Sequence, residues 1–160
     1  MLHQREPNRL LTEMIRLARV GGWLALQEID AMSFVCEPPH PAWTRLWEDV
    51  VSVSTDLGID VYLGRRLPGI LRTAGLEDVH AEVHTRLTRP GDYGRTHLLS
   101  LVTAFRDSML QRGLLTEPEL ADHMAAVDEH VRNPATVVVR EMIVQAWGRK
   151  GRADRLLSGV

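Results

Sequence analysis

The chain has 160 residues, 44% of them hydrophobic and 25% charged, with a formal net charge of −2. That length buries a sizeable core, which argues against disorder, and the interspersed charges give no single-sign field to draw the chain to nucleic acid or to an anionic membrane. The lone Cys36 excludes an internal disulfide, the polar start Met1-Leu2-His3-Gln4-Arg5-Glu6 is unlike a signal peptide, and no apolar run reaches the roughly 20 residues of a membrane span, so a cytoplasmic location is expected.

Leu10, Leu11, Met14, Ile15 and Ala18 recur at helical spacing between Pro7 and Gly21-Gly22, which predicts an amphipathic helix over 7–20. Trp23-Leu24-Ala25-Leu26 follows without alternation and leads into Gln27-Glu28-Ile29-Asp30, the pattern of a strand over 23–29 that is buried on both faces and turns polar at its C-terminal end. Acidic groups at that end face the ligand crevice of an open α/β sheet. After Pro38-Pro39-His40-Pro41, the stripe Trp43, Leu46, Trp47, Val50, Val51, Ser54 and Leu57 predicts a second helix. A third, over 65–74, turns Leu67, Ile70 and Leu71 inward and stops at Gly75.

Residues 79–87 alternate as a strand, closed by Pro90-Gly91-Asp92. A helix over 95–112 carries Leu98, Leu99, Val102, Phe105, Met109 and Leu110 and stops at Gly113. Thr116-Glu117-Pro118-Glu119 reads as a capping box opening another helix, with Leu120, Met124, Val127 and Val131 inward and Pro134 at its end. The β-branched stretch 137–147 is the final strand, and 151–160 a flexible tail. This order makes one helix-rich α/β domain over 1–150 with three strands. Strand 23–29 needs cover on both faces and a neighbour at each edge, and the final strand supplies one neighbour.

The run from Val20 through Gly21-Gly22-Trp23-Leu24-Ala25-Leu26-Gln27-Glu28-Ile29-Asp30 resembles the segment that carries the fifth strand of class I S-adenosylmethionine-dependent methyltransferases, with Val20 where that family usually has proline. Leu2-His3 resembles the end of the family's fourth-strand region. Gly64 to Val79, with Ala74-Gly75-Leu76 between helix and strand, is similar to the step into its sixth strand, and Ala146-Trp147-Gly148-Arg149-Lys150 to the close of its seventh. In that family the sixth and seventh strands pair antiparallel and the seventh lies beside the fifth. The resemblance implies a partial Rossmann-like methyltransferase sheet of about three strands (fifth, sixth and seventh) with a helical insert, S-adenosylmethionine as cofactor and a small molecule as methyl acceptor.

The family's glycine-rich turn after its first strand and its ribose-holding acid after its second have no counterpart ahead of Met1. Gly21-Gly22 is no substitute, because it ends a helix and enters a strand, whereas a nucleotide loop leaves a strand and opens a helix. The expectation is therefore a substrate-side half, inactive in isolation, whose cofactor half is lost, encoded separately or omitted by a misplaced start at Met1. The alternative is a non-catalytic module derived from a methyltransferase that dimerises through its open strand edge.

Methyl transfer from a sulfonium asks the protein for positioning, desolvation and sometimes a base. Glu28 and Asp30 at the strand's end and His3 in the preceding loop are the candidate substrate contacts; solvated loop-end polarity is their competing role. Trp43 and Trp47, one helical turn apart, either wall an apolar substrate pocket or pack the core. His80, Glu82 and His84 share a strand face at the spacing of a metal set, yet alternation with Val79, Ala81 and Val83 is what any half-exposed strand requires, and no metal is expected. Arg65-Arg66 at a helix N-terminal region either meet an anionic group or, the favoured reading, are simply solvated; Asp122-His123 and Asp128-Glu129-His130 read as a helix's wet face, and no cofactor-binding residue is assigned. The expected partners are a small-molecule substrate and either a second copy or a separate cofactor-binding chain.

Overall fold

The computed structural model describes residues 7–152, so His3, Leu2 and the tail beyond Arg152 lie outside the described residues. The chain forms two compact units, each assembled from separate stretches of sequence. The first takes the residues up to Asp30, Val61–His84 and those from Met142 onward; the second takes Ala31–Asp60 and Thr85–Glu141.

The first unit is a three-stranded sheet with two helices on one side. Helix α1 (Pro7–Leu17) leads through Gly21, whose φ of 75° only glycine adopts freely, into β1 (Trp23–Asp30). Helix α3 (Leu67–Thr73) follows a single 3-10 turn, Gly64–Arg66, and ends at Gly75 before β3 (Leu76–His84). The last strand, β5 (Met142–Lys150), lies between β1 and β3 and runs antiparallel to both. Leu11 of α1, Leu67 and Leu71 of α3, Leu24, Leu76 and Ala146 form the core on that side of the sheet.

The other side of this sheet corrects the expectation of a strand buried on both faces. Register puts Ala25, Trp147 and His80 in one row and Gln27, Gln145 and Glu82 in the next, away from the helices. Trp23 is 55% exposed, and the Gln145 amide donates to Gln27 Oε1 at 2.6 Å. Period-2 alternation is present in β1, hidden in the sequence because Trp23 and Ala25 on the open side are themselves apolar. Among the described residues no strand pairs with the outer edge of β1. Strand β3 carries a bulge: Asp78, at φ 50°, and Val79 together oppose Gly148, so Leu76 and Val79 both flank Gly148 on the helix side.

The second unit is a helical cluster. Helices α2 (Pro41–Asp56), α4 (His97–Gln111) and α5 (Glu117–Arg132) bury Leu46, Val50, Val53, Leu98, Val102, Met109 and Val127 against one another. The capping box forms as expected, with the Thr116 N–H donating to Glu119 Oε2 at 2.8 Å. A short strand absent from the sequence reading, β2 (Val35–Glu37), pairs antiparallel with β4 (Val137–Val139), Cys36 opposite Val138. The predicted single strand over 137–147 is thus two strands in different units, broken at Arg140 and Glu141, where charged side chains interrupt the β-branched run. The strand predicted over 79–87 begins earlier, at Leu76, and stops at His84; Leu87 makes only an isolated bridge to Val139. Buried Arg95 donates to the carbonyls of Val131 and Asn133, at 2.7 and 2.9 Å, answering the open C-terminal end of α5.

Candidate functional site

Each unit buries a carboxylate near the end of a strand or next to one. In the first, Asp30 closes β1 and is wholly buried, a costly position for a carboxylate without a cation. Arg65 answers it from both prongs: Nε donates to Oδ2 and Nη2 to Oδ1 at 2.6 Å, while the Arg65 main-chain N–H reaches Oδ2 at 3.2 Å. The hydrogen bond to Asp30 lifts the guanidinium further above its ordinary value, and its carbon lies 5.0 Å from the centre of the Tyr62 ring. Gly64 makes this close approach possible, since a Cβ there would lie 2.7 Å from the Ile29 carbonyl oxygen. Arg65, read from sequence as a solvated cation, is an ion-pair partner, and Asp30 is a carboxylate held on both oxygens rather than one open to solvent. Glu28 is half-buried on the helix side, opposite Val144. A groove of about 570 Å³ runs between α1 and α3, floored by Leu11, Gly69 and Ile70 and rimmed by Thr12, Arg65 and Arg66.

In the second unit Glu141 is 6% exposed and held at both oxygens. His97 Nε2 lies 3.2 Å from Oε1, and Arg140 Nε donates to Oε2 at 2.7 Å. Burial works to raise the Glu141 carboxyl, but the bonds from His97 and Arg140 outweigh it and hold the group below its ordinary value. Gly94 admits the Arg140 side chain, which a Cβ would meet at 3.0 Å. The His97 ring also meets Phe34 edge-on at 6.0 Å; Phe34 in turn packs on Trp43 at 5.0 Å and Trp47 at 5.1 Å. Two buried polar atoms of this aromatic cluster, Trp43 Nε1 and His97 Nδ1, have no hydrogen-bond partner. Trp43 is 4% exposed and belongs to the core, with Trp47 packed partly buried against it.

Of the five residues singled out from sequence, His3 lies outside the described residues; Glu28 and Asp30 fall in the first unit and Trp43 and Trp47 in the second. His97 and Glu141 were missed. The signal available was the Arg140-Glu141 interruption of an apolar β-branched run, a place where a charge entering the interior needs a named partner. His80 stacks on Trp147 at 6.0 Å and His84 Nε2 lies 3.6 Å from Glu82 Oε2; among the described residues no group of three or more His, Cys, Asp or Glu is placed to hold a metal. His130, read as part of a wet helix face, bonds the Pro38 carbonyl at 2.9 Å and packs on His40 at 4.8 Å beside a cavity of about 360 Å³. No described helix is long and apolar enough to cross a membrane.

No protein-family model matches the sequence. A curated relative, the N-methyltransferase tcpN of Claviceps purpurea (strain 20.1), is 30% identical over 77 residues, which are 48% of this chain and 27% of that protein. The chain therefore spans about a quarter of the length of the curated relative it matches. A solved structure, Haemonchus contortus phospholethanolamine N-methyltransferase 2 in complex with phosphomonomethylethanolamine and S-adenosylhomocysteine, superposes with a TM-score of 0.42 at 9% identity, covering 94% of this chain and 32% of that one.

Proposed function

We propose that this chain is the substrate-side half of an S-adenosylmethionine-dependent methyltransferase acting on a small molecule. The observation that carries the reading is the order β1, β5, β3, with β5 antiparallel between the other two. It is the order that the resemblance assigns to the family's fifth, seventh and sixth strands. The second unit is made of the chain that follows β1 and the chain that joins β3 to β5, so its residues are excursions from the ends of strands, where an α/β enzyme builds substrate contacts. The 77-residue similarity to an N-methyltransferase supports the same reading.

The described residues do not fit the cofactor by themselves. Gly21-Gly22 ends α1 and enters β1, and the acid at the end of β1 is engaged by Arg65. A cofactor site would need further residues from elsewhere, and the outer edge of β1, which no described strand pairs with, is where a neighbouring strand would join. That edge, with Trp23 exposed beside it, also favours a second reading, a non-catalytic module that pairs with a second copy.

A thermal-shift titration with S-adenosylmethionine and S-adenosylhomocysteine, beside a size measurement, separates the two. Ligand at 100 times its Kd adds about 2.7 kcal/mol and moves the midpoint by several degrees. Such a shift supports the enzyme reading; a folded dimer with no shift supports the module and sinks the enzyme reading for the isolated chain.

A further inference from the structure

Among the described glycines, Gly69 alone has neither a positive φ nor a neighbour that a Cβ would crowd. The others either turn the chain at positive φ, as Gly75 does, or stand against an atom that a Cβ would meet at 3.0 Å or less, as Gly64 does. Gly69 lies inside α3, where glycine is the least favoured residue after proline, and a Cβ there would meet no atom within 4 Å. No described part of the chain asks for the missing side chain. The space it leaves belongs to the groove of about 570 Å³ between α1 and α3, which has the size of a small-molecule site and is lined by residues of the first unit alone. Leu11 and Ile70 make the apolar floor on either side of Gly69.

One end of this groove is cationic: Arg65 and Arg66 line it, and no carboxylate is among the lining residues. Arg65 is set in place before any ligand arrives. Asp30 takes one N–H from Nε and one from Nη2, along one edge of the guanidinium, and Tyr62 lies under its face at 5.0 Å. The edge between Nη1 and Nη2 is left to the solvent side, and the side chain is 45% exposed. Such an edge matches the two oxygens of a carboxylate. Asp30 offsets the charge of Arg65, and Arg66 adds a second guanidinium at the same end.

We propose that the groove binds a small carboxylate with an aliphatic tail, the carboxylate held by Arg65 and Arg66 and the tail laid along Leu11, Gly69 and Ile70. The seven residues of α3 rise about 10 Å, which suits an acid of moderate chain length such as octanoate. The site does not rest on the methyltransferase reading.

Octanoate and octanamide, alike in length and different in charge, test this when titrated into the 15N-labelled chain. Octanoate is expected to shift the amide signals of Gly69 and Ile70 with a Kd of about 1 mM or tighter. Octanamide is expected to bind about tenfold more weakly, the worth of a charge-assisted pair. Gly69→Leu puts a side chain where the tail would lie, and is expected to abolish octanoate binding while leaving the melting temperature unchanged or raised. Arg66→Gln, which leaves the Asp30–Arg65 pair intact, is expected to bring octanoate close to octanamide in affinity. The proposal is overturned by no octanoate binding, by equal affinity for the amide, or by undiminished octanoate binding in either variant. A lower melting temperature for Gly69→Leu also overturns it, since the chain itself would then be using the space. None of these readings involves S-adenosylmethionine, so failure here and failure of the proposed function are told apart by the cofactor titration above.

Discussion

The two units solve the same problem, a carboxylate in the interior, in different ways. In the first, Asp30 takes two side-chain donors and one main-chain donor from Arg65, with Gly64 giving the backbone room to approach. In the second, Glu141 is shared between a cation and an imidazole, and the imidazole's far nitrogen is left over. A carboxylate gripped on both oxygens by a guanidinium has its geometry fixed by that pair. One matched by a histidine and an arginine divides its two oxygens between an imidazole and a guanidinium on separate stretches of chain. The contrast sets the acid that sequence reading favoured, engaged by a guanidinium, beside one that it overlooked, shared between a guanidinium and an imidazole.

The largest effect that bears on this contrast is in the first unit. Arg65→Ala removes both side-chain donors from a fully buried carboxylate and is expected to be the most destabilising of these changes, read by urea denaturation. Asp30→Asn leaves a half-exposed guanidinium that can turn to water, and is expected to cost less than half as much. Equal losses would show that the pair is not asymmetric in burial. Gly64→Ala comes next, at about 1–3 kcal/mol, because the new methyl meets backbone atoms of Ile29. Gly94→Ala, whose neighbours are the side chains of Thr88 and Arg140, is expected to cost less. A reversed order would mean that the second cluster is the more rigid one.

Acid titration sharpens the comparison further, since two buried acids of the second unit act with opposite sign. Glu141 is held below its ordinary value, so its bonds to His97 and Arg140 contribute stability that is present above the ordinary carboxylate value of about 4.3 and is lost as pH falls through the folded value. Glu141→Gln is therefore expected to flatten the fall of the melting temperature below about pH 4.5. Burial raises Asp49 above its ordinary value despite the Arg45 Nε bond at 3.1 Å, so its charge opposes folding at neutral pH and the opposition fades as the group is protonated. The smallest effect expected is from Asp49→Asn, a gain of up to about 1 kcal/mol at pH 7 that disappears on acidification. A gain that grew with acid would contradict the sign assigned to Asp49.

Local signals in the sequence carried the elements well and the clusters poorly. The stripe from Trp43 to Val50, the Thr116 box and the stop at Gly75 each depend on residues within a turn or two, and each element stands where its pattern put it. The pairing of Asp30 with Arg65 joins positions 35 apart in the chain, and that of His97 with Glu141 joins positions farther apart still; neither leaves a periodic trace. The break between β4 and β5 was hidden because propensity sees a continuous β-branched run across Arg140 and Glu141, while the chain there passes from one unit to the other. The order of the three strands of the first sheet came from resemblance rather than from residue pattern, since nothing in alternation says which strand lies in the middle.

The bulge in β3 gives that strand one residue in reserve. Because Asp78 and Val79 share the single partner Gly148, removing Asp78 leaves every pairing from His80 onward with the same residue of β5 and turns an interrupted ladder into a regular one. An added residue has no such outlet and would have to open a second bulge or slide the rest of the strand to the opposite side of the sheet. The strand should accordingly accept shortening at this point and resist lengthening, a directional tolerance to insertions and deletions that no single substitution would reveal.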